Sequence, residues 1–380
     1  MGTQSSHYCY CNKVITLNKD ILLTSSTEPI IKLQSNFRGF LYRKNHLSFT
    51  SKRDLNSTSS QNIESSQIKE ISMSYSTELF DSNPIIKKLC ELIPKFELDE
   101  KETYLVTTSS HKTKAIIYEN GLIYKGMLNG KNMREGYGKL YLKDGSIYEG
   151  FFKDNKMDGR GRLYNIEGFI YEGEFYNCLA SGFGKFIGLD GTIYKGNWRN
   201  DKQNGNGHEI YSDGSQYLGE FIDGKKSGKG KFTFADGNTY EGDFYDNEIK
   251  GEGVYRWKDG RIYSGKWDNN KMNGYGIFYW PDKKKYYGHY VNNNKDGFGR
   301  FVWVDGKVFE GMWKNGKQHG VGMLTNKECV IYGEWYQGKK LKEMNDISDQ
   351  IETSRVIQEK KKEKEYIEFE SKIECYESKL

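Results

Sequence analysis

Long apolar runs are missing from this chain. No stretch approaches the roughly 18 residues needed to cross a bilayer as a helix. The first twenty residues also lack a continuous apolar segment, so no secretory leader is expected. Aliphatic side chains are scarce as well. Hydrophobic residues make up 36% of the 380 positions, too few for one large core. The six cysteines, Cys9, Cys11, Cys90, Cys178, Cys329 and Cys375, show neither CxxC nor Cys/His metal spacing. A reducing compartment and no metal are therefore expected. Proline is rare, and the formal charge of +5 is too small to indicate nucleic acid. No Gly-rich phosphate loop, kinase catalytic loop or metal motif is present, so neither catalysis nor a cofactor is expected.

What the chain does have is glycine, tyrosine and a fixed period. Tyr148, Tyr171, Tyr194, Tyr217, Tyr240, Tyr263, Tyr286 and Phe309 follow one another at intervals of 23. Two positions on stands glycine, from Gly150 through Gly311. Four positions on stands an aromatic ring: Phe152, Phe175, Trp198, Phe221, Phe244, Trp267, Tyr290 and Trp313. A Gly-x-Gly follows, from Gly159 and Gly161 to Gly320 and Gly322, and most units close on Asp-Gly or Glu-Gly, as at Asp213-Gly214. Side chains alternate along a strand, so ring, gap and ring share one face. The glycine gap leaves space for a neighbouring hairpin's ring to lie on bare backbone. The closing Asp-Gly suits a turn with positive φ. One unit is then one hairpin plus a reversal. About nine of them, at roughly 10 Å of rise each, make a twisted ribbon about 90 Å long.

These residues resemble the MORN repeat, whose unit reads Tyr-x-Gly-x-Trp/Phe, a turn, Gly-x-Gly and Asp-Gly. The resemblance covers about residues 113–340. It implies a mainly β, elongated, twisted solenoid with an N-terminal arm of short helices and a C-terminal helix. It also implies a scaffold that self-associates and contacts phospholipids or partner helices. Family members that catalyse carry a separate lipid-kinase or methyltransferase domain. The ends depart from the pattern. Residues 113–123 match a second half-unit, the Tyr124 unit carries one extra residue before Gly136, and the last unit, with Gly333 and Trp335, arrives one residue early with Ile331 in place of its first tyrosine. Asp282-Lys283 replaces Asp-Gly after Pro281, and that turn is expected to differ.

Two surfaces of the repeats are candidates for binding. Lys156, Lys202, Lys225, Lys271 and Lys317 fall at the tip of the first turn, with Lys131 and Lys295 near equivalent places. They form a candidate basic edge toward acidic phospholipid or an acidic partner. Equally, lysines at turns solubilise the edge and block strand pairing. The aromatic face, with Trp335 as its last ring, is a candidate groove for an amphipathic helix, or it is simply core.

The flanking segments carry their own signals. Residues 1–28 begin Met-Gly with Ser6 in place for N-myristoylation of Gly2, and Cys9 and Cys11 stand where palmitate would follow. Residues 29–47 contain Leu33, Gln34, Arg38, Gly39 and Arg43 in the spacing of an IQ motif, a basic amphipathic helix read by calmodulin or a related EF-hand protein. Residues 48–80 are a Ser- and Asn-rich linker. Within 81–112, residues 84–96 form a short capping helix. From 341 to 380 the pattern turns helical, with a seam of Tyr366, Phe369, Ile373, Tyr376 and Leu380. That tail docks on the aromatic groove or pairs as a coiled coil.

The expected function is a non-catalytic scaffold joining a membrane or cytoskeletal structure to protein partners, responsive to calcium through calmodulin. Its expected place is the cytosolic face of a membrane or the cytoskeleton beneath it, with a cilium as another setting. The terminal Ser378-Lys379-Leu380 spells a peroxisomal address that conflicts with a lipid anchor. The alternatives are a purely cytoskeletal or axonemal protein without lipid, and a regulatory subunit that activates an enzyme in trans.

Overall fold

In a computed structural model, described for residues 83–109, 112–118 and 122–377, the chain forms one antiparallel sheet of 21 strands. Each strand pairs with its neighbours in sequence, from β1 (Lys112–Ile117) against β2 (Ile123–Leu128) to β20 (Val330–Tyr336) against β21 (Lys339–Glu343). The meander never closes. Two turn types alternate along it. The first is a two-residue reversal, such as Asp154-Asn155 between β4 (Ile147–Lys153) and β5 (Lys156–Asn165), with φ of 47° and 66°. Positive φ at both positions matches the right-handed twist of paired strands. The second is the Asp-Gly reversal. At Asp213-Gly214, Tyr211 N–H donates to Ser215 O at 2.9 Å and Gly214 N–H to Tyr211 O at 2.9 Å, with Gly214 at φ 84°.

The turn at Asp282-Lys283 corrects the expectation that it should differ. Lys283 N–H donates to Trp280 O at 2.9 Å and Trp280 N–H to Lys284 O at 3.0 Å, the same pair of bonds as at Asp213-Gly214. Lys283 takes φ 69° where the other units place glycine. The flanking strands fix the geometry and the lysine bears the strain. In the Tyr124 unit, residues 129–133 form a longer connection closed by Asn129 N–H to Met133 O at 3.0 Å. That connection absorbs the extra residue.

The unit tyrosine explains both glycine positions. In β4 and β5 the register shifts between Gly150 and Phe152, while Gly150 stays opposite Gly161. Tyr148 lies across these two glycines, and a Cβ on either would overlap its hydroxyl. The glycine gap is thus filled by the unit's own tyrosine and not by a neighbouring hairpin's ring. The register shift turns the Phe151 carbonyl out of the ladder, and Tyr148 Oη donates to it at 2.9 Å. The same bond recurs from Tyr171 to Glu174 O at 3.0 Å, Tyr240 to Asp243 O at 3.0 Å and Tyr263 to Lys266 O at 2.9 Å. A buried hydroxyl and a displaced carbonyl satisfy one another.

Rings and turns tie unit to unit. Tyr148 meets Phe152 of its own unit at 5.1 Å and Phe175 of the next at 5.0 Å, both edge-on. The alternation continues without a break from Tyr124 with Phe152 to Phe309 with Trp335. Edge-on geometry lets the positive rim of one ring face the negative face of the next. Where the second ring is tryptophan, its indole N–H finds a carbonyl, as Trp267 Nε1 to Gly253 O at 3.1 Å. Along the turns, Asn247 Oδ1 accepts from Lys226 N–H at 2.8 Å while Asn247 N–H donates to Lys226 O at 2.9 Å. Asn270 does the same for Ile249, and Asn293 for Met272.

Helices cover part of the opposite face. α1 (Pro84–Leu92) starts at Asn83, whose side chain accepts from Ile85 N–H and Ile86 N–H. It lies on the face of the first hairpins and not across their end, with Ile86 and Leu89 buried among Ile123, Tyr141, Ile147, Tyr164 and Ile170. α2 (Glu100–Thr108) begins with a reciprocal Asp99–Glu102 cap. The C-terminal tail is helical in three pieces, α3 (Ile347–Lys361), α4 (Lys364–Glu370) and α5 (Ile373–Glu377). Glu363, extended at ψ 134°, separates the first two.

Candidate functional site: the two faces and the turn edge

Every ring expected along the aromatic face is found on one side of the sheet. Tyr148, Tyr171, Tyr194, Tyr217, Tyr240, Tyr263, Tyr286 and Phe309 are buried. So are Phe152, Phe175, Phe221, Phe244, Trp267, Tyr290, Trp313 and Trp335, and Trp198 is half-buried. They pack on one another and make the core, so the groove imagined along them is filled by the rings themselves. Burial raises the phenol pKa values of Tyr171, Tyr194, Tyr217 and Tyr240, and lifts those of Tyr148, Tyr286 and Tyr290 well above the usual range.

Charge enters this core at Arg134, at Glu209 with Lys226, and at Lys295. Glu209 stands where neighbouring units have Leu163, Phe186, Phe232, Tyr255 or Phe278. Its carboxylate, fully buried, accepts from Lys226 Nζ at 2.7 Å, and the Tyr211 hydroxyl donates to the same oxygen. Desolvation pulls the Lys226 pKa down against the attraction of Glu209. Lys295 sits at the Lys226 position of a later unit, so it belongs to the ring ladder and not to the turn edge. The equivalents of Glu209 and Tyr211 there are Phe278 and Trp280. A column-by-column alignment of the units would have exposed both departures.

The turn edge carries both signs. Lys156 Nζ donates to Asn177 Oδ1 at 3.0 Å, Lys225 pairs with Asp246, and Lys317 reaches Gln337 Oε1 at 3.5 Å. Lys202 and Lys271 are exposed. Asp154, Asp201, Asp223 and Asp246 share the same turns.

The face opposite the rings is where groups converge that the period did not reveal. One row of directly opposed residues runs Arg162, Glu172, Lys185, Lys195, His208, Leu218, Lys231 and Glu241. At its start α1 and α2 are clamped to it. Arg162 donates to Pro94 O at 2.6 Å and pairs with Glu172 at 2.5 Å, while Arg160 pairs with Glu102 at 2.6 Å. Farther along, α4 lays Phe369 flat on Tyr275 with centroids 5.2 Å apart, and Tyr366 edge-on to Phe298 at 5.4 Å. Lys361 pairs with Glu310 at 2.9 Å and Lys372 with Glu252 at 2.5 Å. The tail therefore docks within the chain, on the face opposite the expected groove. Of its aromatic partners, Tyr275 and Phe298 lie at a position where other units carry Arg160, Asn206, Lys229 and Glu252, and one carries Phe183.

Between the two helical covers, Phe183 is 51% exposed and Leu218 60% exposed. Lys185, Lys195 and Lys231 stand exposed around them, and Lys195 Nζ lies over the Phe183 ring at 5.9 Å. Among the described residues no cluster of His, Cys, Asp or Glu is arranged to hold a metal. No described helix is long and apolar enough to cross a membrane. Gly2, Cys9, Cys11, Leu33, Gln34, Arg38, Gly39 and Arg43 lie outside the described residues, as does Ser378-Lys379-Leu380.

The MORN repeat model matches nine segments: residues 131–147, 148–165, 171–193, 194–216, 217–239, 240–260, 263–285, 286–308 and 309–327. The chain belongs to the MORN repeat family. Together the nine MORN segments span half of the sequence, and the sheet continues past them on both sides. No curated relative matches the chain. Among solved structures it is similar to the TCP10 domain of Danio rerio CPAP, at 12% identity, TM-score 0.32, over 61% of this chain and all of that one. It is also similar to the TCP domain of Drosophila melanogaster SAS-4, solved with a proline-rich motif of Ana2, at 15% identity, TM-score 0.27, over 46% and 99%. Virginiamycin B lyase from Staphylococcus aureus follows at 11% identity, TM-score 0.12, over 60% and 86%. TM-scores this low carry no functional argument.

Proposed function

We propose that this MORN repeat protein is a non-catalytic scaffold that receives a helix of a protein partner on the central part of its ring-free face. One observation carries the reading. The same face accepts helices of the chain itself at both ends and leaves Phe183 and Leu218 bare between them. Apolar anchors rimmed by lysines suit an amphipathic helix with acidic flanks. A photo-crosslinking residue at position 218 should capture a discrete partner in cells, and Lys195→Glu with Lys231→Glu should abolish the adduct. An adduct that persists in the double variant would refute the site.

The N-terminal arm supports the finer part of the proposal. Lipid on Gly2, Cys9 and Cys11 would hold the scaffold at the cytosolic face of a membrane, and calmodulin would read calcium through residues 33–43. Metabolic labelling with a myristate analogue that is unchanged in Gly2→Ala would eliminate the anchor. Calcium-dependent calmodulin binding that survives Gln34→Ala with Arg38→Ala would eliminate the IQ reading. Retention in the detergent-insoluble cytoskeleton without label would favour a purely structural or axonemal role. Co-purification of a catalytic subunit would favour activation in trans.

A further inference from the structure

We propose that Lys295 is a modification site, an amine boxed by four aromatic rings that takes acyl groups from activated thioesters ahead of the lysines at the turns. Its Nζ lies 4.6 Å from the Phe301 ring centroid, 4.9 Å from Trp313, 5.0 Å from Trp280 and 5.1 Å from Tyr286. No carboxylate pairs with it among the described residues. Other units fill this position with Arg134, Met157, Ala180, Gln203, Ile249, Met272 or Gln318. Lys226 supplies the control inside the same molecule. It has the same place in its unit, but it has Glu209 at 2.7 Å and is only 2% exposed. Lys295 is partly exposed. It lies in the first turn-side residues of its strand (Asn294–Val302).

Two effects compete over the charge of this amine. Four ring faces attract an ammonium. Burial without a hydrogen-bond acceptor disfavours it. Burial first, and then the positive charge of Lys284 nearby, bring the Lys295 pKa down to about 7. The titratable groups facing it from the adjoining strand, Tyr286 and Tyr290, are held neutral by burial. Lys284 itself pairs with Asp282 at 2.7 Å.

The chemistry follows from the free electron pair. The neutral amine attacks the thioester carbonyl carbon, a C–N bond forms and the C–S bond breaks. The sulfur leaves with its electron pair as a thiol, after the nitrogen's surplus proton has passed through solvent. The product is an uncharged amide, which the ring box holds more readily than an ammonium.

The test uses the full chain with acetyl-coenzyme A and, in parallel, a substoichiometric N-hydroxysuccinimide acetate. Acetyl occupancy is read lysine by lysine by mass spectrometry from pH 6 to 9. At pH 7 Lys295 should react at least tenfold faster than Lys156, Lys202 and Lys271, and its rate should level off above about pH 8 while theirs keep rising. Phe278→Glu, which places a carboxylate where Glu209 stands beside Lys226, should slow Lys295 tenfold or more at pH 7. Lys284→Met, a change at the edge, should slow it about twofold at pH 6.5 with the fold intact. Labelling of Lys295 no faster than the turn lysines at pH 7, or rising in parallel with them to pH 9, overturns the assignment.

Discussion

Lys226 and Lys295 occupy the same position in units three periods apart, and of the two only Lys226 faces a carboxylate, that of Glu209. One repeat architecture therefore holds a buried amine both with and without its counter-charge.

Removing one partner of the pair should cost far more than removing both. Lys226→Met leaves Glu209 buried and unpaired, and should destabilise the array by about 3–5 kcal/mol. Glu209→Phe combined with Lys226→Met restores residue types that other units use at these positions, and should be neutral or stabilising. Urea unfolding of the two variants beside the parent measures the contrast.

At position 295 the sign reverses. The folded-state pKa near 7 lies below the unfolded value of about 10.4. Between these limits the unfolded chain binds more protons, so stability should rise with pH across that window. The cost of burying the charge is felt in full below pH 7. Lys295→Met should therefore melt higher than the parent at pH 6–8 and converge with it near pH 10. Differences in Tm between the two proteins across a pH series isolate this group from all others.

The tyrosine that spans each glycine pair offers a graded series. Tyr240→Phe leaves the Asp243 carbonyl, accepting now at 3.0 Å, without that donor and should cost about 1 kcal/mol. Gly253→Ala places a Cβ inside the same hydroxyl's space and should cost more. Chemical denaturation should rank the alanine variant below the phenylalanine variant.

Relief of strain should stabilise. Lys283 holds φ 69° in a turn that glycine occupies elsewhere. A left-handed backbone costs an L-residue about 1–2 kcal/mol, partly offset by the entropy that glycine loses on folding. Lys283→Gly should raise stability by up to about 1 kcal/mol in the same denaturation assay.

The architecture was legible because a period of 23 with alternating faces specifies hairpins, and hairpins joined by tight turns leave no choice but a meander. Tyr148, Phe152 and their equivalents marked one shared face, though spacing alone left it either core or groove. What escaped was the opposite face. Tyr275 and Phe298 stand 23 apart, yet the same column holds Arg160, Asn206, Lys229 and Glu252 elsewhere, because the position answers to a helix that contacts only some units. The Asp99–Glu102 cap of α2 was readable from its spacing. The arm partners of Arg160 and Arg162, Glu102 and Pro94, were not, since they come from more than fifty residues away. Lys295 resembles a turn lysine but stands one position beyond their column, and that single step carries its side chain from the turn tip in among the rings.

The asparagine turns give the repeats a mechanical grammar. Asn247, Asn270 and Asn293 each fasten their own turn to the strand of the unit before, by the same pair of bonds. These three seams are thus interchangeable, while Cys178, Gly224, Gly316 and Gly338 hold theirs by the backbone bond alone. Excising one of the asparagine periods would bring an asparagine back onto an equivalent strand and shorten the molecule by one unit. An excision one residue out of step would leave every later ring facing solvent. Length in this protein can therefore change by counting, in steps that leave each remaining joint as it was.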